Sequence, residues 1–345
     1  YRHDKSFNSI EELERVLSIL IGDKARLSKA TPFVNSRTVE GWRINATDKS
    51  ISPIGDYTAV IRKFKDEKEK LQLVDIIEGQ TLSDNMSMLL SILPKARFSF
   101  LTVGSTGSGK TVTNEIICKG IPDLDRQVYI ENPCELTPAR IENGVVVNDY
   151  IQLWANSEKK DPTPVDPTPN NLVENALRQT PTWIILGEAR SDIEFAVLLK
   201  AATTGHNVIT TFHAKDPRDA IRRYLIAYLA TSSNVPAELA MDSICNSFRF
   251  IISVEKLSDG SRRIMHITEI LGSDGLKPIL NDIYRFEIDR VDDKGEIIGK
   301  HKRVGKLSDE AIKQMRRRGI PDNYYALYTL DPGEDEEETY NGVIK

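Results

Sequence analysis

The stretch that decides the fold is "GSTGSGKT", residues 104–111. It fits the pattern GxxxxGK[ST], in which backbone N–H groups surround the phosphates of a nucleotide. The apolar run "FSFLTV", 98–103, comes directly before it, and a helical segment at about 110–120 follows. This order of strand, glycine-rich turn and helix is the context that the pattern requires. The stretch therefore predicts a phosphate-binding loop, and a chance match of a glycine- and serine-rich turn is the weaker alternative.

The residue types in this loop suit the expected chemistry. Glycines at 104, 107 and 109 let the backbone turn tightly and direct successive N–H groups at phosphate oxygens. The helix that starts at Lys110 adds the positive end of its dipole, and the Lys110 ammonium group neutralises the β- and γ-phosphates. The hydroxyl of Thr111 is expected to bind Mg²⁺. The predicted nucleotide-binding residues of the loop are Gly104, Ser105, Thr106, Gly107, Ser108, Gly109, Lys110, Thr111 and Val112.

Three more short apolar runs follow the loop. They are "QVYIE" at 127–131, "TWIILGE" at 182–188 and "NVITTF" at 207–212, with helical segments at about 171–180 and 191–204 between them. Short apolar strands that alternate with helices form a mostly parallel sheet that is covered on both faces. The pattern predicts an α/β fold, in which ligands bind beyond the carboxyl ends of the strands.

Two of these strands end in a carboxylate. Glu131 ends the second run, where it could orient a water or complete a Mg²⁺ shell, and a helix or turn cap is the alternative. Glu188 ends the third run after Gly187, which stands where many P-loop proteins carry Asp. Glu188 is predicted to polarise the attacking water or to bind Mg²⁺, and Arg190 lies two residues further along the same edge. We predict catalytic roles for these two carboxylates and Arg190, and for Lys110.

Two of the five histidines flank the fourth run. His213 directly follows it and is predicted to lie on the same edge as Lys110, Glu131 and Glu188. Its imidazole can bond either a γ-phosphate oxygen or a carboxylate there, which makes it a candidate catalytic residue. His206 precedes the strand, and a strand of this length spans about 20 Å, so the two histidines cannot share one phosphate or one metal ion. We expect His206 to be structural or to reach another part of the subunit.

Composition and charge narrow the class of protein. The 345 residues carry a formal net charge of −5, which speaks against a dedicated nucleic-acid binder, so no direct nucleic-acid binding is expected. The three cysteines form no CxxC pair, so we expect a reducing cytoplasm rather than a zinc site or a disulfide framework. No run of about 18 apolar residues and no signal peptide are visible. The chain starts at Tyr1 rather than at Met, which suggests a trimmed form.

The pattern along the chain predicts three parts. A helix at 9–22 and strands in "TVEGWRINA" and "YTAVIRKF" form a small α+β N-terminal domain, 1–80. The alternation of strands and helices fills 81–275, and a C-terminal subdomain with an acidic tail, 276–345, follows. An insertion at 161–169 has four prolines in nine residues, which predicts an extended surface loop.

These motifs together resemble those of the secretion superfamily of traffic ATPases, which power type IV secretion, conjugation, and pilus assembly or retraction. That family carries Walker A, acidic, Walker B and histidine boxes, which correspond in order to "GSTGSGKT", "IENPCE", "ILGEAR" and "TGHNVITTFHA". The resemblance covers about residues 36–272. The stretches "GEARS" and "FHAKDPRDAIRRY" are most similar to the conjugation, type IV secretion and Tad-pilus branches, and the four-cysteine zinc element of the type II branch is missing.

The resemblance implies an architecture and a cellular role. It implies a RecA-like P-loop ATPase domain behind the N-terminal domain, with ATP and Mg²⁺ held between them in a homohexameric ring. By position in "GWRINA" and "VIRKF", Arg43 and Arg62 match arginines that reach the phosphates, and Arg190 matches as well. The partners would be inner-membrane secretion or pilus platform proteins. The ring would lie on the cytoplasmic face of that membrane, in peripheral contact through these partners.

This sequence departs from the pattern of the family in three places. Asn132 follows Glu131 where an Asp is usual, which weakens any role for a second carboxylate there. Only about 100 residues precede the loop, so the N-terminal domain is short. The proline-rich insertion matches no standard element of the family.

Two other functions stay open at this point. A RecA-like DNA translocase or helicase would use the same loop, although the acidic net charge and the lack of an aromatic–basic stripe speak against it. A catalytically silent nucleotide-binding scaffold would need no catalytic residues, whereas Lys110, Thr111, Glu188 and His213 are all intact. An ATPase that converts hydrolysis into domain movement around a ring is therefore the favoured interpretation.

Overall fold

The structure is a computed structural model. It describes residues 7–22, 26–38, 42–53, 55–63, 71–155, 167–232 and 234–333. The chain divides into two compact units, one ending at Lys70 and the other beginning at Leu71. Most of the proline-rich insertion (161–166) and the acidic tail from 334 onward lie outside the described residues.

The N-terminal unit contains one helix and a three-stranded antiparallel sheet in the order β1-β2-β3. Its elements are α1 (Ile10–Ile21), β1 (Phe33–Arg37), β2 (Arg43–Thr47) and β3 (Thr58–Arg62). The helix begins after Ser9, whose hydroxyl accepts a hydrogen bond from the N–H of Glu12. Leu17 and Ile21 on the apolar side of this helix form a buried cluster with Val34, Ile44 and Ala46 of the sheet. The helix and the two strands that the sequence predicts are present.

The second unit contains the glycine-rich stretch 104–109. Its helices are α2 (Leu73–Glu78), α3 (Asp84–Lys95), α4 (Lys110–Cys118), α5 (Pro169–Ala176), α6 (Asp192–Thr203), α7 (Pro217–Thr231), α8 (Ala237–Ser247) and α9 (Asp309–Arg317). Its strands are β4 (Phe100–Val103), β5 (Gln127–Glu131), β6 (Ile141–Glu142), β7 (Val145–Val146), β8 (Tyr150–Trp154), β9 (Trp183–Leu186), β10 (Asn207–Phe212), β11 (Phe250–Lys256), β12 (Arg262–Asp274), β13 (Lys277–Val291) and β14 (Ile297–Arg303). The four apolar runs that the sequence predicts as strands are β4, β5, β9 and β10.

One nine-stranded sheet runs through this unit in the order β14-β13-β12-β11-β4-β10-β9-β5-β8. Strands β11, β4, β10, β9, β5 and β8 are adjacent in this order and pair in parallel. Strands β12, β13 and β14 extend the sheet beyond β11 with antiparallel pairs. The predicted α/β fold with a mostly parallel sheet is confirmed. Because parallel strands end at the same edge, β4, β5, β9 and β10 bring the residues that follow them to one place.

The sheet is covered on both faces. Neighbouring residues of β4 show this, since Phe100 belongs to one buried apolar cluster and Leu101 to another. Helices α3, α4 and α9 contribute to the first cluster, and α5, α6, α7 and α8 to the second. A strand buried on both faces has a continuous apolar sequence, which is why the run at β4 lacks alternation. Among the described residues, no helix combines the length and apolar character that a membrane span requires.

The boundary between the two units lies at residues 70 and 71, whereas the sequence predicts a domain limit at residue 80. The second predicted limit, at residue 275, falls inside the second unit. The helix α2 belongs to the second unit, because Ile76 and Ile77 are buried in the core together with residues of α3. At the other limit, β12 pairs with β13 through a register that joins Asp274 to Lys277. The sheet therefore continues across residue 275 without a break.

Candidate nucleotide-binding site

The glycine-rich loop, residues 104–109, connects β4 to α4 at the carboxyl edge of the parallel strands. Its three glycines have φ angles of 155° at Gly104, 75° at Gly107 and 104° at Gly109, which residues with side chains rarely adopt. At Gly104 there is also no space for a side chain, because a Cβ atom would overlap the backbone oxygen of Val254. The backbone angles and the close approach of β11 therefore both require glycine in this loop.

Lys110 is the first residue of α4, and its ammonium group folds back onto the loop. Nζ donates hydrogen bonds to the carbonyl oxygens of Gly104 at 3.0 Å and Ser105 at 2.9 Å. The residue is 7% exposed, and this burial lowers the pKa of its ammonium group, while the charge of Glu188 raises it. A bound phosphate would offer the ammonium group charged acceptors, which form stronger hydrogen bonds than carbonyl oxygens do.

His213 connects the loop to Glu188. Its Nδ1 lies 3.1 Å from the carbonyl oxygen of Gly104 and 3.5 Å from Nζ of Lys110. Its Nε2 lies 3.1 Å from Oε1 of Glu188. The other oxygen of Glu188 accepts two hydrogen bonds from Arg190, from Nε at 2.8 Å and from Nη2 at 2.5 Å. Four of the predicted site residues thus form one continuous chain of contacts at the loop.

Both ring nitrogens of His213 face hydrogen-bond acceptors. The carbonyl oxygen of Gly104 and the carboxylate of Glu188 can only accept, so both contacts are hydrogen bonds at once only when the ring carries two protons. A neutral ring makes one of the two bonds and leaves the other nitrogen free to accept. The side chain is 47% exposed, so a charged ligand at the loop can reach the ring.

Glu131, at the end of β5, is more enclosed than Glu188. Its Oε1 accepts hydrogen bonds from the backbone N–H groups of Glu135 and Leu136, each at 3.1 Å. Its Oε2 accepts from Nε2 of Gln152 at 3.1 Å. Burial raises the pKa of the Glu131 carboxyl, and these three hydrogen bonds act against that shift. The contacts are those of a turn cap, which is the alternative that the sequence leaves open for this residue.

Gly187 separates the two carboxylates. A Cβ atom at this position would lie 3.0 Å from Cγ of Glu131, so an Asp here would displace the Glu131 side chain. A cavity of about 140 Å³ at the ends of β5 and β9 is lined by Glu131, Glu188 and Arg190, among others. One water needs roughly 15 Å³ of such space, so several waters fit beside both carboxylates.

The remaining loop residues differ in exposure. Ser108 is fully buried, its N–H donates to the Ser105 carbonyl oxygen at 3.3 Å, and its Oγ has no hydrogen-bond partner among the described residues. Ser105 and Thr106 are exposed, and Thr111 and Val112, in the first turn of α4, are half-buried. The Ser108 hydroxyl is enclosed by the loop itself, so it lies out of reach of a ligand.

Arg43 and Arg62 lie directly opposite each other on β2 and β3 of the N-terminal unit. In the same register, Arg37 on β1 is the partner of Arg43, so three arginines stand in one row across the sheet. The sequence analysis did not single out Arg37, because its register depends on the connection between β1 and β2. The contact of Arg43 and Arg62 with phosphates stays a prediction.

His206 lies at the opposite end of β10 from His213. Its Nδ1 is 3.2 Å from the carbonyl oxygen of Ala201 and 3.3 Å from Oγ1 of Thr204, at the end of α6. These contacts join the helix to the turn that leads into β10. The two histidines are therefore one strand length apart, as the sequence predicts.

Two contacts at the site come from residues that the sequence analysis missed. Arg262, the first residue of β12, donates from Nε to the carbonyl oxygen of Gly107 at 3.0 Å, across 155 positions of sequence. Gln152 on β8 reaches Glu131 in a similar way. No local pattern marks either residue, because only the order of strands in the sheet brings them to the loop.

Comparison with known families identifies the chain. Residues 1–273 match the type II/IV secretion system protein family. The chain belongs to this family. The resemblance to the secretion superfamily of traffic ATPases that the four sequence motifs indicate is therefore confirmed.

Relatives in this family include proteins of conjugation and type IV secretion. An uncharacterized protein of Methanocaldococcus jannaschii is 31% identical over 251 residues, which cover 71% of this chain and 41% of that protein. The conjugal transfer protein TrbB of Rhizobium radiobacter is 30% identical over 207 residues, 59% of this chain and 57% of TrbB. The type IV secretion system protein VirB11 of Bartonella quintana is 28% identical over 196 residues, which cover 56% of this chain and 50% of VirB11. The match spans less than two thirds of the length of each of these relatives.

Solved structures share the fold. The ATPase DotB of Yersinia pseudotuberculosis has a TM-score of 0.55 at 21% identity, over 78% of this chain and 69% of DotB. The pilus retraction motor PilT with bound ADP has a TM-score of 0.52 at 19% identity, over 94% of this chain and 77% of PilT. At these identities the likeness concerns the fold alone.

Proposed function

We propose that this chain is a Mg²⁺-dependent ATPase that hydrolyses ATP to ADP and phosphate. The observation that carries the proposal is the chain of contacts from the Lys110 ammonium group through His213 to Glu188 at the glycine-rich loop. It joins a phosphate-binding cation to a carboxylate that can orient water, through a histidine that contacts both. Membership in the type II/IV secretion system protein family supports the same activity.

The loop fits the phosphates of ATP in three respects. Its glycines hold positive φ angles, so backbone N–H groups can converge on phosphate oxygens. Lys110 supplies a positive charge that the loop carbonyls only partly satisfy. The loop lies at the N-terminus of α4, where the first N–H groups and the positive end of the helix dipole favour an anion.

Hydrolysis transfers a phosphoryl group to water, so the enzyme acts mainly by positioning and by neutralising charge. Lys110 would compensate the negative charge of the β- and γ-phosphates. Glu188 would orient the attacking water, and its carboxylate is already aimed by Arg190 on one oxygen and His213 on the other. The neighbouring cavity is lined in part by Glu188, so a water placed there would be close to the same carboxylate.

His213 would report whether the γ-phosphate is present. Its ring sits between the loop and Glu188, and a γ-phosphate is a stronger acceptor than the carbonyl oxygen it now contacts. When the phosphate leaves, the ring can return to the carbonyl and the carboxylate. This exchange would couple the state of the nucleotide to the strand end that carries the histidine.

The donor set of the site fits Mg²⁺ held together with nucleotide. Among the described residues, no group of three or more His, Cys, Asp and Glu side chains could hold a metal ion. Mg²⁺ commonly binds through one or two protein oxygens, waters and substrate phosphates, so such a group is not needed. Thr111 and Glu188 would hold the ion. When bound, it would neutralise charge that develops on the β- and γ-phosphate oxygens.

Membership in the family supports a proposal for the assembly and its partners. We propose a homohexamer that lies at the cytoplasmic face of the inner membrane and powers a type IV secretion, conjugation or pilus machine through platform proteins. The names of TrbB and VirB11 support this class of machine. Arg43 and Arg62 would reach the phosphates of ATP in the same or a neighbouring subunit, and Arg190 would be a further arginine at the phosphates.

Phosphate release from the full chain, with and without Mg²⁺, tests the activity. Lys110→Ala should abolish turnover, and a rate within about tenfold of wild type would show that the loop is not catalytic, since such losses are typically larger. Glu188→Gln should retain equilibrium binding of a labelled ATP and stop hydrolysis. The exposed Arg290→Ala on β13 is the matched control, and its rate should stay unchanged.

The same assay separates the alternative functions. Stimulation of turnover by single-stranded DNA that weakens with salt would favour a DNA translocase. Tight ATP binding by wild type without phosphate release at any concentration of protein would favour a silent scaffold. Mass measurement of the assembly with ATP tests the hexamer directly.

A further inference from the structure

Arg262 contacts the second half of the glycine-rich loop. Its Nε donates to the Gly107 carbonyl oxygen at 3.0 Å, and its Cδ would lie 3.4 Å from a Cβ placed on Gly109. The side chain therefore lies against the loop from Gly107 to Gly109, whereas Lys110 donates to the carbonyl oxygens of Gly104 and Ser105 in the first half.

The backbone that carries Arg262 is held firmly in place. Arg262 is paired with Lys256 in the ladder between β12 and β11. The next residue, Arg263, is buried and donates from Nη1 to the Gly79 carbonyl oxygen at 2.8 Å. The N–H of Ile264 donates to the Thr81 carbonyl oxygen at 2.8 Å. Because its backbone is fixed in this way, Arg262 can restrain the position of the loop. An arginine on a mobile segment would instead move together with the loop.

The contact fixes the direction of one peptide group. In a trans peptide the C=O of one residue and the N–H of the next point in opposite directions. Because Arg262 holds the Gly107 carbonyl oxygen, the Ser108 N–H points away from Arg262, toward the Ser105 carbonyl oxygen that it meets at 3.3 Å. Backbone N–H groups are the ones that bind phosphate in loops of this kind.

We propose that Arg262 is a positioning residue for nucleotide binding, which holds the Gly107–Ser108 peptide so that the Ser108 N–H faces the phosphates. This inference rests on the proposed function, because it assigns a phosphate ligand to the loop. Arg262 acts through the peptide and needs no contact of its own with the nucleotide. The affected phosphates are those shared by ADP and ATP, since the loop N–H groups bind the α- and β-phosphates.

The test compares Arg262→Met, which removes the donors and the charge, with Arg262→Lys, which keeps one charged donor. Arg262→Met should weaken the binding of ADP and of ATP by the same factor, about tenfold. This factor corresponds to the lower end of the contribution of a hydrogen bond to a charged group. Arg262→Lys should recover most of this loss. Adenosine, which has no phosphate, should bind all three proteins equally. In turnover, KM should rise with kcat unchanged, since the lost binding is common to ground and transition states.

Three controls make the outcome decisive. The exposed Arg290→Met on β13 should bind ADP like wild type. The melting temperature of nucleotide-free Arg262→Met should match that of wild type, and a clear fall would overturn the inference in favour of a structural role. The loss of ADP affinity should persist at 0.5 M salt, where diffuse attraction is screened within about 4 Å. A loss that disappears at this salt concentration would also overturn it.

The failure of this inference differs from the failure of the proposed function. If wild type binds neither ADP nor ATP, the proposed function fails. If wild type binds both and Arg262→Met binds them equally well, only the role of Arg262 fails.

Discussion

The replacement of His213 by alanine separates catalysis from folding at this site. The ring makes two contacts of 3.1 Å, from Nδ1 to the Gly104 carbonyl oxygen and from Nε2 to Glu188, and the side chain is 47% exposed. A neutral ring makes one of these two hydrogen bonds at a time, and a single hydrogen bond that competes with water contributes about 1 kcal/mol to the free energy of unfolding. For a domain of this size, 1 kcal/mol lowers the melting temperature by about 2–4 °C. His213→Ala should therefore unfold within a few degrees of wild type.

Turnover should respond much more strongly than stability. The Glu188 carboxylate would keep Arg190 on one oxygen and lose the partner of the other, so its orientation toward the loop is no longer fixed from both sides. Loss of one preorganised group next to the reacting phosphate typically costs about 100-fold in kcat. Steady-state phosphate release at saturating ATP measures the rate, and thermal unfolding without nucleotide measures the stability of the same preparation.

The matched control is His206→Ala at the other end of β10. Its ring contacts the Ala201 carbonyl oxygen and the Thr204 hydroxyl, which are structural partners at the end of α6. This variant should lower the melting temperature or weaken ring assembly more than His213→Ala, and it should reduce turnover less. A stable His206→Ala ring without turnover, beside a fully active His213→Ala, would refute the assignment of the two histidines.

Three further predictions address the other groups. Arg62→Ala should lower the affinity for ATP more than the affinity for ADP in equilibrium binding, because the charge of Arg62 is predicted to face the terminal phosphate. An equal change in affinity for both nucleotides would exclude that contact. Glu131→Gln should reduce kcat less than Glu188→Gln does, since an amide oxygen can still accept from the two loop N–H groups, and equal losses would contradict a cap role. Burial lowers the pKa of His301 from 6.5 to about 4, so the folded state binds fewer protons than the unfolded state between these values. Stability should fall by about 3 kcal/mol as pH drops from 6.5 to 4, and His301→Gln should flatten that slope in chemical unfolding.

Four strands of the parallel part of the sheet, β4, β5, β9 and β10, could be predicted because their signals are local, whereas the parallel strands β8 and β11 were not predicted. Strands β4 and β9 are buried on both faces, so their sequences are apolar apart from Thr102 in β4, and each is followed by a glycine. The glycine-rich loop has a fixed spacing, and the direction of parallel strands then places Glu188 and His213 on its edge. None of these inferences needs knowledge of a distant residue.

The antiparallel extension was harder to predict, because paired charges interrupt its apolar pattern. Glu269 in β12 is fully buried, although an isolated Glu is normally a surface residue. It is stabilised by Arg249 at 2.9 Å and by the N–H of Ser308 at 3.0 Å, which are 20 and 39 positions away. Only the folded structure shows these partners, so the strand looks like an exposed segment in the sequence.

The same limit applies to the site. The sequence predicts which side chains reach the edge of the sheet, but not how they share their hydrogen bonds. Glu131 and Glu188 end two paired strands and look alike in sequence, yet they have different partners. Arg262 reaches the loop only because β12 follows β11 beside β4 in the sheet order.

Gly187 explains how two neighbouring carboxylates can take separate tasks. Side chains at residue 187 would press on Cγ of Glu131 at 3.0 Å, so a glycine leaves Glu131 in its enclosed position. There its carboxylate is occupied by the N–H groups of the loop that follows β5, and it holds that loop in shape. Glu188 is then the carboxylate that contacts His213, which in turn lies beside Lys110 at the glycine-rich loop. An Asp at residue 187 would add a second negative charge beside Glu131 and disturb this division, which is a physical reason for glycine at the end of this strand.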